Sequence, residues 1–188
     1  MIITYQGQDA FKISQGDLTL AVNPKSKISA NITLFSTGRE ETAEKSGFII
    51  DGPGEYEAKD VTVKGFLSEG PEGKINTIYF ITFEGMNICF LGALANAQLS
   101  EKTLEAIENV DILFVPIAGN GVLDPASAYK LAVSLEPSVI IPMHYDKTSL
   151  AQFVKEGGET GVETIDKFVV KKKDLEGKSG EIVVLKEE

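Results

Sequence analysis

Val139-Ile140-Ile141-Pro142-Met143-His144-Tyr145 is the stretch that decides how this chain is read. Five apolar residues in a row are too few for a helix. Bounded by Pro137 before and His144 after, they fit a strand buried on both faces, as in the parallel sheet of an α/β fold. Such folds place functional groups where strands run out into loops, and His144 stands at that point. It is also the only histidine among 188 residues.

Outward from this strand, helix and strand signals alternate. Asp124-Pro125 starts a helix, with an acidic N-cap and then a Pro at the first helical position, where its missing N–H costs nothing. That helix extends to about residue 135 and is stopped by Glu136-Pro137. Residues 112–116 are a short apolar strand. Ser100 caps a helix running to about residue 109, with Leu99, Thr103, Leu104 and Ile107 spaced for one face. Beyond His144, Thr148 or Ser149 caps a third helix ending at Gly157-Gly158. Residues 162–171 and 181–185 read as closing strands around the charged loop 172–180.

The first half reads as strands at 1–5, 10–14, 18–22, 31–35, 47–51, 55–58 and 60–64, then a hairpin of 75–83 with 86–91 around Glu84-Gly85. Gln6-Gly7, Gln15-Gly16-Asp17 and Gly52-Pro53-Gly54 are turns by composition. No linker, repeat or low-complexity segment interrupts the chain. The expectation is one domain over residues 1–188, of mixed α/β class, with strands inside and helices outside.

Hydrophobic residues make up 43% of the chain, enough for a full core without metal or disulfide staples. The formal net charge of -10 repels phosphate backbones, which argues against non-specific nucleic-acid binding. Cys89 is the one cysteine, which excludes an intrachain disulfide and a cysteine-based zinc site. Its setting, Ile88-Cys89-Phe90-Leu91, is that of a buried core thiol. No signal peptide is visible, and no apolar run approaches the ~18 residues that span a membrane. A cytoplasmic protein is expected.

Several segments together resemble the metallo-β-lactamase fold superfamily, in its small "zinc-dependent hydrolase of the β-lactamase fold" branch. Thr4-Tyr5-Gln6-Gly7-Gln8-Asp9-Ala10-Phe11 is similar to that branch's opening, usually Tyr-x-Gly-His-Ala or Ser. Ala21-Val22-Asn23-Pro24 resembles its second-strand ending, usually Asp-Pro. Gly52 to Glu57 is similar to a turn typical of the branch, and Asn76 through Leu94 to its central hairpin. Ile140-Ile141-Pro142-Met143-His144-Tyr145 matches the branch ending almost letter for letter. The resemblance spans about residues 1 to 147 and implies a four-layer αββα sandwich with its site along one edge of the two sheets.

That family's chemistry rests on a His-x-His-x-Asp-His loop, in which imidazoles and a carboxylate hold zinc and leave a water to be ionised. Here the matching positions carry Thr37, Arg39, Glu41 and Thr42. Ala93 stands where the branch has a bridging aspartate, and Gln8 where it has a histidine next to the ligands. Of the ligand set that the resemblance implies, only His144 remains. One imidazole binds zinc weakly, since a stable site needs about three or four protein ligands.

Two readings of the cleft formed by Gln8, Thr37, Arg39, Glu41, Thr42, Ala93 and His144 follow. The first is a metal-free, non-catalytic member of the fold, with no cofactor, that binds an unidentified small molecule or protein. The alternative is a hydrolase with a rebuilt or non-zinc site using His144, with Glu41, Asp51 or Asp146 as the carboxylate metal donors. Arg39-Glu40-Glu41, Glu55 with Glu57, Gly119-Asn120-Gly121 and Lys171-Lys172-Lys173 each invite a functional reading, but their composition suits solvated loops and strand ends better.

Overall fold

The structure, a computed structural model, describes residues 1–26, 28–38 and 47–188. Nine strands come first: β1 (Ile2–Tyr5), β2 (Phe11–Gln15), β3 (Leu18–Val22), β4 (Ile32–Leu34), β5 (Phe48–Ile50), β6 (Gly54–Ala58), β7 (Val61–Glu69), β8 (Ile75–Phe83) and β9 (Met86–Phe90). Helices and strands then alternate through α1 (Glu101–Ala106), β10 (Ile112–Pro116), α2 (Pro125–Ser134), β11 (Val139–Met143) and α3 (Lys147–Glu156). Four two-residue strands close the chain: β12 (Thr164–Ile165), β13 (Phe168–Val169), β14 (Glu181–Ile182) and β15 (Val184–Leu185).

Two large sheets result. The first has the order β13-β1-β2-β3-β4-β5 and the second β14-β11-β10-β9-β8-β7-β6, while β12 and β15 pair separately. This is the mixed α/β class and the two-sheet sandwich expected from the sequence. Period-two patterning explains the first sheet: Phe11 and Ile13 of β2 point into the core while Lys12 and Ser14 are half-exposed. β10 and β11 are buried along their whole length, because they run parallel in the middle of the second sheet with cover on both faces.

One apolar core lies between the sheets and a second between the second sheet and the helices. Phe11 crosses the first core. Its ring meets Phe114 of β10 with centroids 4.6 Å apart and Phe90 of β9 at 6.2 Å. Burying such a ring stabilises the fold by about 1.5–3 kcal/mol. The second core joins Cys89, Leu113 and Ile140 to Ala128, Leu131 and Ala132 of α2 and Phe153 of α3. On the outer face of the first sheet the cross-strand partners Ile2 and Val169 stay exposed. No helix among the described residues is long and apolar enough to cross a membrane.

Local details depart from the sequence expectations. α1 stops at Ala106, because Ile107 leaves helical geometry and turns into the second core. α3 is capped by Asp146 rather than Thr148 or Ser149. The Asp146 carboxylate accepts from the N–H groups of Thr148 and Ser149, and the Ser149 hydroxyl accepts from the Asp146 N–H at 3.0 Å. β7 runs on to Glu69, held by β8 in continuous register from Thr62↔Thr82 to Glu69↔Ile75. The two closing strands are each split. β13 joins β1 and β14 joins β11, while β12 and β15 pair with each other.

Candidate functional site

β9, β10 and β11 run parallel, so the loops after β9 and β11 emerge at the same end of the second sheet. Ala93 lies on the first of these loops and His144 on the second. Open α/β sheets build sites at this carboxyl end. The first sheet contributes the turn after β1, the end of β3 and the loop after β4.

These segments are joined by one polar seam that crosses from sheet to sheet. The His144 N–H donates to the Gln8 carbonyl at 2.6 Å, which fixes the imidazole's residue to the opening turn. Next to Gln8, the Asp9 carboxylate accepts from the Asn23 side-chain amide at 2.8 Å. The same Asn23 nitrogen donates to the Ser36 hydroxyl at 2.9 Å, and the Asn23 Oδ1 accepts from the Ser36 N–H at 2.8 Å. The Ser36 carbonyl then accepts from the N–H of Thr77 on β8, which crosses to the second sheet. There the Asn76 side chain accepts from the Ala93 N–H at 2.9 Å and donates to the Leu91 carbonyl at 2.9 Å. Gly92 closes the seam. Its backbone sits at φ +63°, and a β-carbon there would strike both Asn76 and Ser36.

Of the sequence-derived candidates, Gln8 is exposed on the turn, His144 is half-buried, Ala93 is buried and Thr37 is exposed just past Ser36. Arg39, Glu41 and Thr42 lie outside the described residues. Gln8 and His144 are in direct contact, and Ala93 and Thr37 flank the far end of the seam. Asp146 faces away from any such role, since its carboxylate caps α3.

Asp9 is a carboxylate of the seam that the sequence did not single out. It is half-buried, and burial pushes its carboxyl above the usual carboxylate range, although His144, Lys25 and the Asn23 amide pull the other way. A signal for it was present: the resembling branch carries Ala or Ser at position 9 and Asp at position 23, whereas this chain has Asp9 and Asn23. The carboxylate thus stands at position 9 in place of position 23, on the other side of one hydrogen bond. Gln8, Asn23 and His144 also hold left-handed backbone, at φ +56°, +44° and +53°. Such geometry costs on the order of 1–3 kcal/mol per residue, gathers at functional sites, and is least strained for Asn.

Two large mixed sheets packed face to face, with helices on the outer side of the second, are the architecture of the β-lactamase superfamily domain. The family model of that description matches residues 2–144, and the chain belongs to this family. A UPF0173 metal-dependent hydrolase from Carboxydothermus hydrogenoformans is 26% identical, over 86% of this chain and 94% of its own length. One from Thermoplasma acidophilum is 26% identical, over 87% of this chain and 70% of its own length. A solved structure from Thermotoga maritima, put forward as a Zn-dependent hydrolase of the metallo-β-lactamase superfamily, superposes with a TM-score of 0.84 at 26% identity, covering 98% of this chain and 97% of that one.

These relatives correct one expectation. The chain was read as carrying no cofactor, yet the proteins it matches over most of its length are named as metal-dependent hydrolases, which points to a metal cofactor. The described residues do not by themselves supply a metal cage. No group of three His, Cys, Asp or Glu side chains is gathered among them, and His144 with Asp9 makes two donors where about three are needed.

Proposed function

We propose that this chain is a hydrolase whose cleft works through His144, with the Asp9 carboxylate as its electrostatic partner. The observation that supports this most is the pairing. The one imidazole stands just past β11, bonded through its backbone to the turn that carries Asp9, and it is near enough to pull the Asp9 carboxyl down against the effect of burial. A general base takes a proton from the attacking water, a task for which an imidazole at a strand end is chemically suited. His144 takes the proton of the attacking water and returns it to the leaving group as the acyl or phosphoryl bond breaks. Asn23 keeps Asp9 oriented through that cycle.

A binding role without turnover is the second reading, and Ala93 favours it. On the loop after β9, where the resembling branch carries a carboxylate, this chain presents only the buried methyl group of Ala93. One experiment separates the two. Purified protein, supplied in turn with zinc, manganese and iron, is assayed on chromogenic esters and phosphodiesters. The hydrolase reading expects turnover that His144→Ala lowers by at least about a hundredfold. Full activity in that variant, or no turnover by the parent protein, leaves the binding reading standing.

A further inference from the structure

Beside the Asp9–His144 pair, the opening turn and the last strand of the chain enclose an open pocket of about 450 Å³. The rings of Tyr5 and Tyr145 form one side, stacked 5.9 Å apart. Lys25, Lys186 and Glu187 stand around it, and Gln8 belongs to its wall, so it opens onto the turn that carries Asp9. Lys25 ties the pocket to the pair a second time, because it is near enough to Asp9 to hold that carboxyl down.

The lining is positive in a chain whose formal net charge is -10: two lysines face one carboxylate. Among the described residues the Lys186 ammonium pairs with Asp166, at 3.8 Å with both side chains largely exposed. A pair of that kind contributes little in water, so the cation is available to a ligand. The phenols are not. The Tyr5 hydroxyl donates to the Gln8 carbonyl at 2.9 Å and the Tyr145 hydroxyl to the Leu185 carbonyl at 3.0 Å. An anion in the pocket is therefore held by the lysines against an aromatic wall. Glu187 opposes it. Its carboxylate lies over Gly7, in the space a side chain there would fill, and its backbone is fixed where the Glu188 N–H donates to the Tyr5 carbonyl at 2.9 Å.

We propose that this pocket holds the anionic end, a carboxylate or a phosphate group, of a small substrate whose reactive bond reaches His144. The second half of that statement rests on the hydrolase reading, whereas the anion site is measured without turnover. Inorganic phosphate and, separately, succinate are titrated into the protein at low ionic strength, following binding heat and the tyrosine ring resonances. Saturable binding is expected for at least one of them. Lys25→Gln with Lys186→Gln weakens it by about tenfold, and Glu187→Gln tightens it by about two- to fivefold. Lys178→Gln, whose partner is Glu181, leaves it unchanged. Preference for phosphate or for succinate identifies the headgroup. No saturable binding of either anion, or equal affinity in the double lysine variant, overturns the proposal. Anion binding by a protein that turns over no substrate keeps the pocket and removes the hydrolase.

Discussion

The Asn23 side-chain amide donates to the Asp9 carboxylate at 2.8 Å, across fourteen residues of sequence and between the ends of two strand connections. Asn23→Asp turns that donor into a second carboxylate. Two like charges at this distance cannot both ionise without cost, and Ser36 loses a donor as well. The variant should be destabilised by about 2–3 kcal/mol at pH 8 and by less at pH 5. Urea denaturation at the two pH values reads the difference, and equal losses at both would refute the charge argument.

Asp9→Asn tests the same carboxylate with the opposite sign. Burial raises the folded-state pKa of Asp9 above its unfolded value, so the folded protein holds the proton more tightly. The stability this contributes is complete below about pH 4, the ordinary aspartate range, and is lost as pH rises through the raised value. An asparagine still accepts from Asn23 and carries no charge to desolvate. Its melting temperature should exceed the parent's at pH 8 and converge on it near pH 4, while hydrolytic activity falls.

Asp111 offers a contrast between a buried and an exposed partner. Its carboxylate, whose side chain is 9% exposed, accepts from the Asn87 N–H at 2.7 Å and from the Lys172 ammonium at 2.6 Å, whereas the Lys172 side chain is 53% exposed. Asp111→Ala strands a backbone donor and should cost about 2 kcal/mol; Lys172→Ala should cost about 1 kcal/mol or less. Chemical denaturation of both variants checks the order.

Gly92→Ala should be among the most damaging small substitutions. It places a β-carbon against Asn76 and Ser36 at a positive φ, with an expected loss of more than about 2 kcal/mol. Wild-type stability in this variant would mean that the seam yields more readily than its hydrogen bonds imply.

The Cys89 thiol is fully buried, and burial pushes its pKa far up. A disulfide reagent should leave the native protein untouched and titrate one thiol after denaturation in guanidinium.

The elements that were legible in the sequence carry their causes locally. Asp124-Pro125 caps and starts α2 without help from the rest of the chain. The unbroken apolar run of β11 announces a strand covered on both faces, with His144 at its end. The parts that were not legible depend on distant partners. β7 reaches Glu69 only because β8 pairs with it, and the closing segments divide only because three separate neighbours claim them. Asp9 was passed over because its meaning lies in Asn23, fourteen positions away, and in a burial that no local pattern reveals.

The pairing of Ile2 with Val169 and of Tyr5 with Glu187 sets the order in which this protein can be finished. β1 is synthesised long before its outer neighbour β13. Until residues 168–188 arrive, one whole edge of the first sheet is a row of unpaired backbone groups, open to any passing strand. Closure across so long a separation is slow. The nascent chain is thus most open to pairing with other chains in the interval between the synthesis of β1 and that of β13.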